Sequence, residues 1–246
     1  MIAMDRNNSQ ALVNERKFTA HSLDADRALA LVRHFCVPHP DYPSGRVNSI
    51  YFDTPDLAAF KEKFDGDRLK RKYRLRWYDT GREPAKDSLT AFLEIKYRIG
   101  SARDKRRHRL QADAAWLRSA PLNDPSLVRF LRQMAPQLQD NIPLRLRPAI
   151  CIVYDRHRFV CYRTGLTVCI DFCIEAVRIN PDLFCASVPF GLNTVVCECK
   201  THGFPDIPWA DSLYRAGFRI RSFSKYGECV HQALHGGAPT VVRMSI

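Results

Sequence analysis

The sequence predicts an α+β protein built on a closed, cation-lined β-sheet with helices packed outside it. Three observations carry this. First, the stretch Leu69 to Trp77 alternates strictly from Lys72 on, with Lys72, Arg74 and Arg76 on one side and Tyr73, Leu75 and Trp77 on the other. That is a strand period, because successive side chains of a strand point to opposite faces. Second, an acid and a base recur two residues apart on strands backed by apolar residues: Glu94 and Lys96, then Glu198 and Lys200, with a third copy in Glu15-Arg16-Lys17. Third, Leu127, Phe130, Leu131 and Met134 are spaced for a helix lying on the outside of a sheet. A single cationic strand reads most simply as a solvated surface. Repetition of the same acid–base pair argues instead for the lining of a closed sheet, which would bind a polyanion, with carboxylates able to hold a divalent metal.

Bulk composition agrees and sets limits. The chain has 246 residues, 46% of them hydrophobic, enough for one large domain over residues 13–235 between a disordered lead (1–12) and a loose tail (236–246). A formal net charge of +12 calls for an anionic partner: nucleic acid, anionic lipid, nucleotide or polyphosphate. The nine cysteines are odd in number and contain no Cys-x-x-Cys spacing, which argues against a zinc site and for reduced thiols in a cytoplasmic setting. Cys197 and Cys199 share a strand face and read as core residues turned away from Glu198. No signal peptide is recognisable, and no apolar run reaches the about 18 residues a membrane helix needs. A membrane role would require a separate partner chain.

Taken in order, residues 14–20 read as a first strand. Ser22 reads as the N-cap of a helix carrying Leu23, Leu29, Leu31, Val32 and Phe35, ended by Pro38 and Pro40. Residues 46–52 are a strand, Asp53-Thr54-Pro55 a turn, 56–64 a short helix and Asp65-Gly66-Asp67 a second turn. The cationic strand follows, then a polar hairpin loop (79–88) and the Glu94/Lys96 strand. The run Arg103, Lys105, Arg106, Arg107, His108 and Arg109 is either a solvated or nucleic-acid-binding loop or an entrance to an anion site. Helices are expected at 113–117 and at 125–138, the latter capped by Asp124 with Pro125 as its first residue. Strands are expected at 143–160 and 166–172, irregular chain at 176–193, and then the Glu198/Lys200 strand. After a Gly/Pro loop (202–208) comes a helix at 209–216 closed by Gly217. Ser224 caps the last helix, which reaches about His235. Lys225 beside the free amides of that helix start either accompanies ordinary capping or holds phosphate.

Several of these stretches together resemble a known family. They are Tyr51-Phe52-Asp53-Thr54-Pro55, the Lys72 to Tyr78 strand, Leu93-Glu94-Ile95-Lys96, Arg147-Pro148 with Tyr154-Asp155-Arg156, Glu198-Cys199-Lys200 and Phe223-Ser224-Lys225-Tyr226. In this order, over roughly residues 14 to 232, the chain resembles the VTC domain, the polyphosphate polymerase module of the triphosphate tunnel metalloenzyme (CYTH-like) superfamily. The resemblance implies an antiparallel eight-stranded β-tunnel, a closed barrel with helices outside. It implies ATP and inorganic polyphosphate as partners and transfer of the ATP γ-phosphoryl group to the growing chain. By motif position it implies Lys17, Arg74, Arg76, Lys96, Arg156, Lys200, Ser224 and Lys225 as phosphate ligands. Arg74, Arg76, Lys96, Lys200 and Lys225 would act in catalysis, and Glu198 would hold Mn²⁺ or Mg²⁺.

Two positions depart from the pattern. The superfamily's hydrolases carry a further Glu where this chain has Val13, which favours the polymerase branch. An Arg usual four residues before Asp171 is replaced by Thr167, so that one phosphate contact is either missing or supplied by Arg163. Glu94 and Asp171 remain open between second metal carboxylates and salt-bridge partners that order the cations. A non-catalytic polyphosphate or nucleotide sensor and a triphosphate hydrolase are the nearest alternatives. Nucleic-acid binding is a third, and it fits less well because Tyr73 and Trp77 lie on the face opposite the cations.

Overall fold

The computed structural model describes residues 13–62, 69–79, 87–99, 102–138, 142–185, 188–202 and 207–236. The expected lead, the tail from residue 237, the Asp65-Gly66-Asp67 turn, residues 80–86 of the hairpin loop and residues 203–206 of the Gly/Pro loop lie outside the described residues. The fold is α+β, a large antiparallel sheet with few helices. The strands are β1 (Val13–His21), β2 (Cys36–Pro38), β3 (Ser44–Asp53), β4 (Leu69–Asp79), β5 (Ser88–Ile99), β6 (Ala102–Asp113), β7 (Arg147–Cys161), β8 (Thr167–Ile179), β9 (Phe190–Leu192), β10 (Thr194–His202) and β11 (Arg219–Ile220). The helices are α1 (Ala25–Arg33), α2 (Ala58–Lys61), α3 (Ala114–Ser119), α4 (Pro125–Met134), α5 (Ala210–Arg215) and α6 (Lys225–His235).

The hydrogen-bonded order is β11-β1-β10-β8-β7-β3-β4-β5-β6, with β2 on β7 and β9 on β8. This corrects the expected closed eight-stranded barrel: among the described residues the sheet has eleven strands and is not closed, its strand order ending at β11 and β6. The ends have a physical basis. β11 is two residues long, too short to carry a ladder further. β6 presents Asp104, Lys105, Arg106, Arg107 and Arg109, and charge of this kind blunts a sheet edge against further pairing.

By its internal contacts the chain divides into two compact units. Unit 1 comprises Met1–Pro43, His157–Phe172 and Thr194–Ser222. Its core gathers Phe18 from β1, Leu29 and Val32 from α1, Val168 and Ile170 from β8, Val195, Cys197 and Cys199 from β10, and Trp209 and Leu213 at α5. Cys197 and Cys199 are fully buried there, as their strand parity predicts. Gly217 closes α5 with φ +89, a conformation that costs glycine least.

Unit 2 comprises Ser44–Arg156, Cys173–Asn193 and Phe223–Ile246. The apolar side of its sheet supplies Ile50, Phe52, Tyr73, Leu75, Trp77, Leu93 and Ile95 to the core. Leu117 of α3 and Leu127 and Leu131 of α4 cover them, with Phe130 and Met134 partly buried alongside. Burial of each large apolar side chain contributes about 1.5–3 kcal/mol. The packing holds the apolar face down and so commits the opposite face of β4 and β5 to its charges. Asp113 caps α3 through Trp116 N–H, and Asp124 caps α4 through Ser126 N–H.

Several local expectations shift. His21, not Ser22, makes the first cap: its Nδ1 accepts from Leu23 N–H, and a 3-10 turn over Ser22–Asp24 precedes α1. Leu23 is 87% exposed and takes no part in the core. Of the helix expected at 56–64, whose residues 63–64 lie outside the described residues, α2 is the helical part described, entered through Leu57 at φ 56. Asp53 organises it, because its carboxylate accepts from the amides of Thr54, Ala59 and Phe60 and from the Tyr226 hydroxyl. The basic run is not a loop but strand β6, paired with β5 along its whole length. Its period is hidden in the sequence because both of its faces are polar. The stretch expected to be irregular contains the end of β8 and all of β9.

Candidate anion-binding site

On unit 2, strand register lays the charges out in rows. Lys72 of β4 stands opposite Lys96 of β5, which stands opposite Lys105 of β6. In the next row Tyr51 of β3 is opposite Arg74, Arg74 opposite Glu94, and Glu94 opposite Arg107. Beyond that come Ser49, Arg76, Phe92 and Arg109. Like charges directly opposite each other on a sheet are destabilising. A row of three lysines concentrates positive charge on this face, where a multivalent anion would be attracted.

Glu94 is the hub of this face, and it is 1% exposed. Its Oε2 takes Nε and Nη2 of Arg74, both at 2.6 Å, and lies 3.9 Å from Nη1 of Arg76. Its Oε1 lies 2.6 Å from Lys105 Nζ and 3.3 Å from Arg107 Nε. Burial would raise this carboxyl, but Arg74, Arg76 and Lys105 outweigh it and bring the pKa down to about 2. One carboxylate thus holds four cations in place while cancelling one charge. Of the two roles left open by the sequence for Glu94, these contacts are those of a salt-bridge partner that orders the cations.

Tyrosines fix the far ends of the guanidiniums. Arg76 donates from Nε to Ser49 Oγ at 3.0 Å and from Nη2 to Tyr154 Oη at 3.2 Å. Over the Tyr154 ring sit Lys225 Nζ at 4.5 Å and the Arg156 guanidinium at 5.3 Å. Arg74 Nη1 donates to Tyr51 Oη at 3.4 Å. The Tyr51 ring stacks on Tyr226 at 5.1 Å, and Tyr226 in turn is tied to Asp53. Ser224 caps α6 by accepting from Gly227 N–H at 3.2 Å, and its Oγ also lies 3.4 Å from Lys72 Nζ. The α6 start is thereby built into the cationic face, with Lys225 in its first turn.

The electrostatics are legible in Tyr51. Burial pushes its hydroxyl up, but Arg74 and Arg76, followed by Lys225, pull it down to about 8. A spectrophotometric titration should therefore show one tyrosine ionising near pH 8, absent from Tyr51→Phe. Tripolyphosphate should move that step upward, because its charge offsets the guanidiniums that favour the phenolate.

Unit 1 carries a different pattern. β1 and β10 pair so that Lys17 is opposite Glu198 and Glu15 opposite Lys200. Two Glu-x-Lys strands running antiparallel in this register form a checkerboard in which each carboxylate has a cation across the ladder and another along its own strand. The Glu15–Lys17 pair measures 2.8 Å and the Glu198–Lys200 pair 3.6 Å. Cys169, Asp171 and Thr167 of β8 share this polar face by register with β10. Arg163, the alternative to a missing contact at Thr167, is exposed in the turn after β7.

A family model for the VTC domain matches residues 6–234 of the chain. The chain belongs to the VTC domain family. No curated protein matches its sequence. Among solved structures it is similar to a proposed adenylate cyclase from Bacillus halodurans (12% identity, TM-score 0.46, covering 85% of this chain and 92% of that one). A proposed adenylate cyclase from Vibrio parahaemolyticus (12%, TM-score 0.44, 89% and 98%) and a chain of the Schizosaccharomyces pombe Mediator head module (11%, TM-score 0.36, 82% and 88%) are also similar. Likenesses at this level say nothing of substrate.

Within this VTC domain, Arg74, Arg76, Lys96, Arg156, Ser224 and Lys225 all fall in unit 2, and Lys17, Glu198 and Lys200 all fall on the polar face of unit 1. Sequence reasoning left out Lys72, Lys105, Arg107, Tyr51, Tyr154 and Tyr226. The signal for Lys72 was its parity with Arg74. For Lys105 and Arg107 it was their two-residue spacing inside the basic run. The tyrosines stood in the motifs that carry the family resemblance, but their roles depend on register and on α6.

Among the described residues no group of three or more His, Cys, Asp and Glu side chains gathers to hold a metal, and none of their helices is long and apolar enough to cross a membrane. On the polar face of unit 1, Glu198 and Asp171 are buried carboxylates with the hard oxygens that Mn²⁺ or Mg²⁺ prefers. Such cations are commonly held by one or two carboxylates together with substrate phosphates. The donor set of this VTC domain therefore fits a metal that arrives with phosphate and does not fit a cage made of protein alone.

Proposed function

We propose that this VTC domain is a polyphosphate polymerase that transfers the γ-phosphoryl group of ATP to the end of an inorganic polyphosphate chain, releasing ADP. The observation that carries this reading is the unit 2 face. There the Lys72–Lys96–Lys105 row lies beside Arg74, fixed on the buried Glu94 carboxylate, and Arg76, held by Ser49 and Tyr154. Phosphoryl transfer asks mainly for positioning and for stabilisation of charge on the transferred group. Arg74 and Arg76 supply oriented guanidinium forks that remain charged at any working pH, and lysines supply point charges. Because Glu94, Tyr51 and Tyr154 pre-set the forks, little reorganisation is left for the moment of reaction. The acceptor is an already ionised phosphate oxygen, so no strong general base is needed. Glu198 would hold Mn²⁺ or Mg²⁺, which would supply positive charge to offset charge on the phosphates.

The test is to incubate the protein with ATP and Mn²⁺ and resolve the products on a gel. A ladder of long polyphosphate is the expected result. Free phosphate alone would point to a triphosphate hydrolase. No turnover, together with a melting shift on tripolyphosphate, would point to a sensor. Glu198→Ala is expected to remove metal-dependent turnover and leave the fold intact by circular dichroism. Persistent metal-dependent turnover would overturn the metal assignment.

A further inference from the structure

Unit 1 holds a second group of reactive side chains, away from its charged face. Cys36 opens β2 and Cys161 closes β7, and the two are register partners in an antiparallel ladder. The backbone shows which kind of partners. Cys161 N–H donates to the Leu166 carbonyl and its carbonyl accepts from Gly165 N–H, both at 2.8 Å, so its backbone groups turn into the hairpin towards β8. Three residues earlier the sense is reversed. Arg158 N–H donates to the Pro43 carbonyl, and the Arg158 carbonyl accepts from His39 N–H. Cys36 and Cys161 therefore form a non-hydrogen-bonded pair. In such pairs the Cα atoms approach to about 4.5 Å and the side chains lie closest. A disulfide spans Cα separations of about 4.4–6.8 Å, so no backbone movement is demanded.

We propose that Cys36 and Cys161 form a peroxide-sensitive dithiol, a modification site at which a peroxide closes a disulfide that staples β2 to β7. The Cys161 thiolate attacks the peroxide, its O–O bond breaks, and Cys161 becomes a sulfenic acid as the other oxygen leaves as hydroxide or alkoxide. Cys36 sulfur then attacks the sulfenic sulfur, the S–S bond forms, and the S–O bond breaks with release of water, the Cys36 proton going to the departing oxygen. Two thiol sulfurs are oxidised and one peroxide is reduced.

The surroundings set the order of events. The Cys161 sulfur faces the Thr164 hydroxyl and the amides of Arg163 and Thr164 in the turn that follows. Burial acts to raise this thiol, but those donors outweigh it and hold it below the ordinary cysteine value. Cys36 has no such donors and is pushed up to about 12, by burial first and then by Cys161 and Cys199. Cys161 is thus the sulfur that reacts and Cys36 the one that resolves. Both are nearly inaccessible, at 2% and 3% exposed, but Cys161 borders the exposed turn 162–165, which suits a small oxidant.

The experiment is to treat the reduced, folded protein with hydrogen peroxide, block remaining thiols, digest without reductant and map linked peptides by mass spectrometry. A Cys36–Cys161 peptide pair, lighter by two hydrogens and lost on reduction, is expected. In Cys36→Ser, dimedone should instead trap a sulfenic acid at Cys161. The proposal is overturned if Cys161 is recovered as a free thiol after the exposed Cys173 and Cys185 have been consumed, or if Cys161 is found linked to any other cysteine. The wild-type mapping stands by itself should Cys36→Ser fail to fold.

Discussion

Glu94→Gln is expected to lower folding stability by about 3–5 kcal/mol, because it leaves Arg74, Arg76, Lys105 and Arg107 crowded around a neutral group. The same carboxylate makes a pH signature. Its folded pKa, about 2, is below the ordinary glutamate value of 4.5, so its contribution is fully present above 4.5 and is lost as pH falls through about 2. The shift corresponds to stability on the order of 3 kcal/mol. Chemical denaturation at a series of pH values should show wild type losing stability in that window and the Gln variant lacking that segment of the loss. Tripolyphosphate should restore part of the variant's stability, since phosphate can replace the carboxylate as counter-charge. Equal pH profiles for the two proteins would show that Glu94 is not the hub described above.

Arg74→Ala is expected to reduce polyphosphate synthesis by about 10²–10³-fold in kcat, the loss typical for one pre-organised donor to a charged transition state. Arg74→Lys separates charge from geometry. It keeps the positive charge but loses the fork whose Nε and Nη2 both meet Glu94 Oε2 at 2.6 Å and whose Nη1 reaches Tyr51. If orientation matters more than charge, Lys rescues binding, seen as KM, much better than it rescues kcat. Full recovery of kcat by Lys would reduce Arg74 to a point charge. The Tyr51 titration gives a control without turnover, because loss of Arg74 must also raise the tyrosine step near pH 8.

The charged face and the thiol pair show how unevenly a sequence discloses its fold. The alternation of Lys72, Arg74 and Arg76 against Tyr73, Leu75 and Trp77 was enough to assign β4, because one face is wholly cationic and the other wholly apolar. The same was true of β10, where Cys197 and Cys199 alternate with Glu198. β6 escaped recognition because Lys105, Arg107 and Arg109 alternate with Arg106 and His108, and a strand polar on both sides has no hydrophobic period to read. Ser22 was a plausible cap, but the backbone was closed one residue earlier by His21, a choice that depends on how β1 ends.

What the sequence determined by itself is local: which side chains share a strand face, where helices α4 and α6 are capped, and which motifs place the chain among VTC domains. Tertiary structure alone decided register, and register is what turned a list of charges into an arrangement. Antiparallel pairing set Glu15 against Lys200 and Glu198 against Lys17, yet set Lys72, Lys96 and Lys105 opposite one another across three strands. It also opened the sheet at β11 and β6, where the sequence had suggested closure. The physical reason is that a strand's period fixes only which face a residue takes. The residue it meets across the ladder is set by turns, edges and core packing far away in the chain.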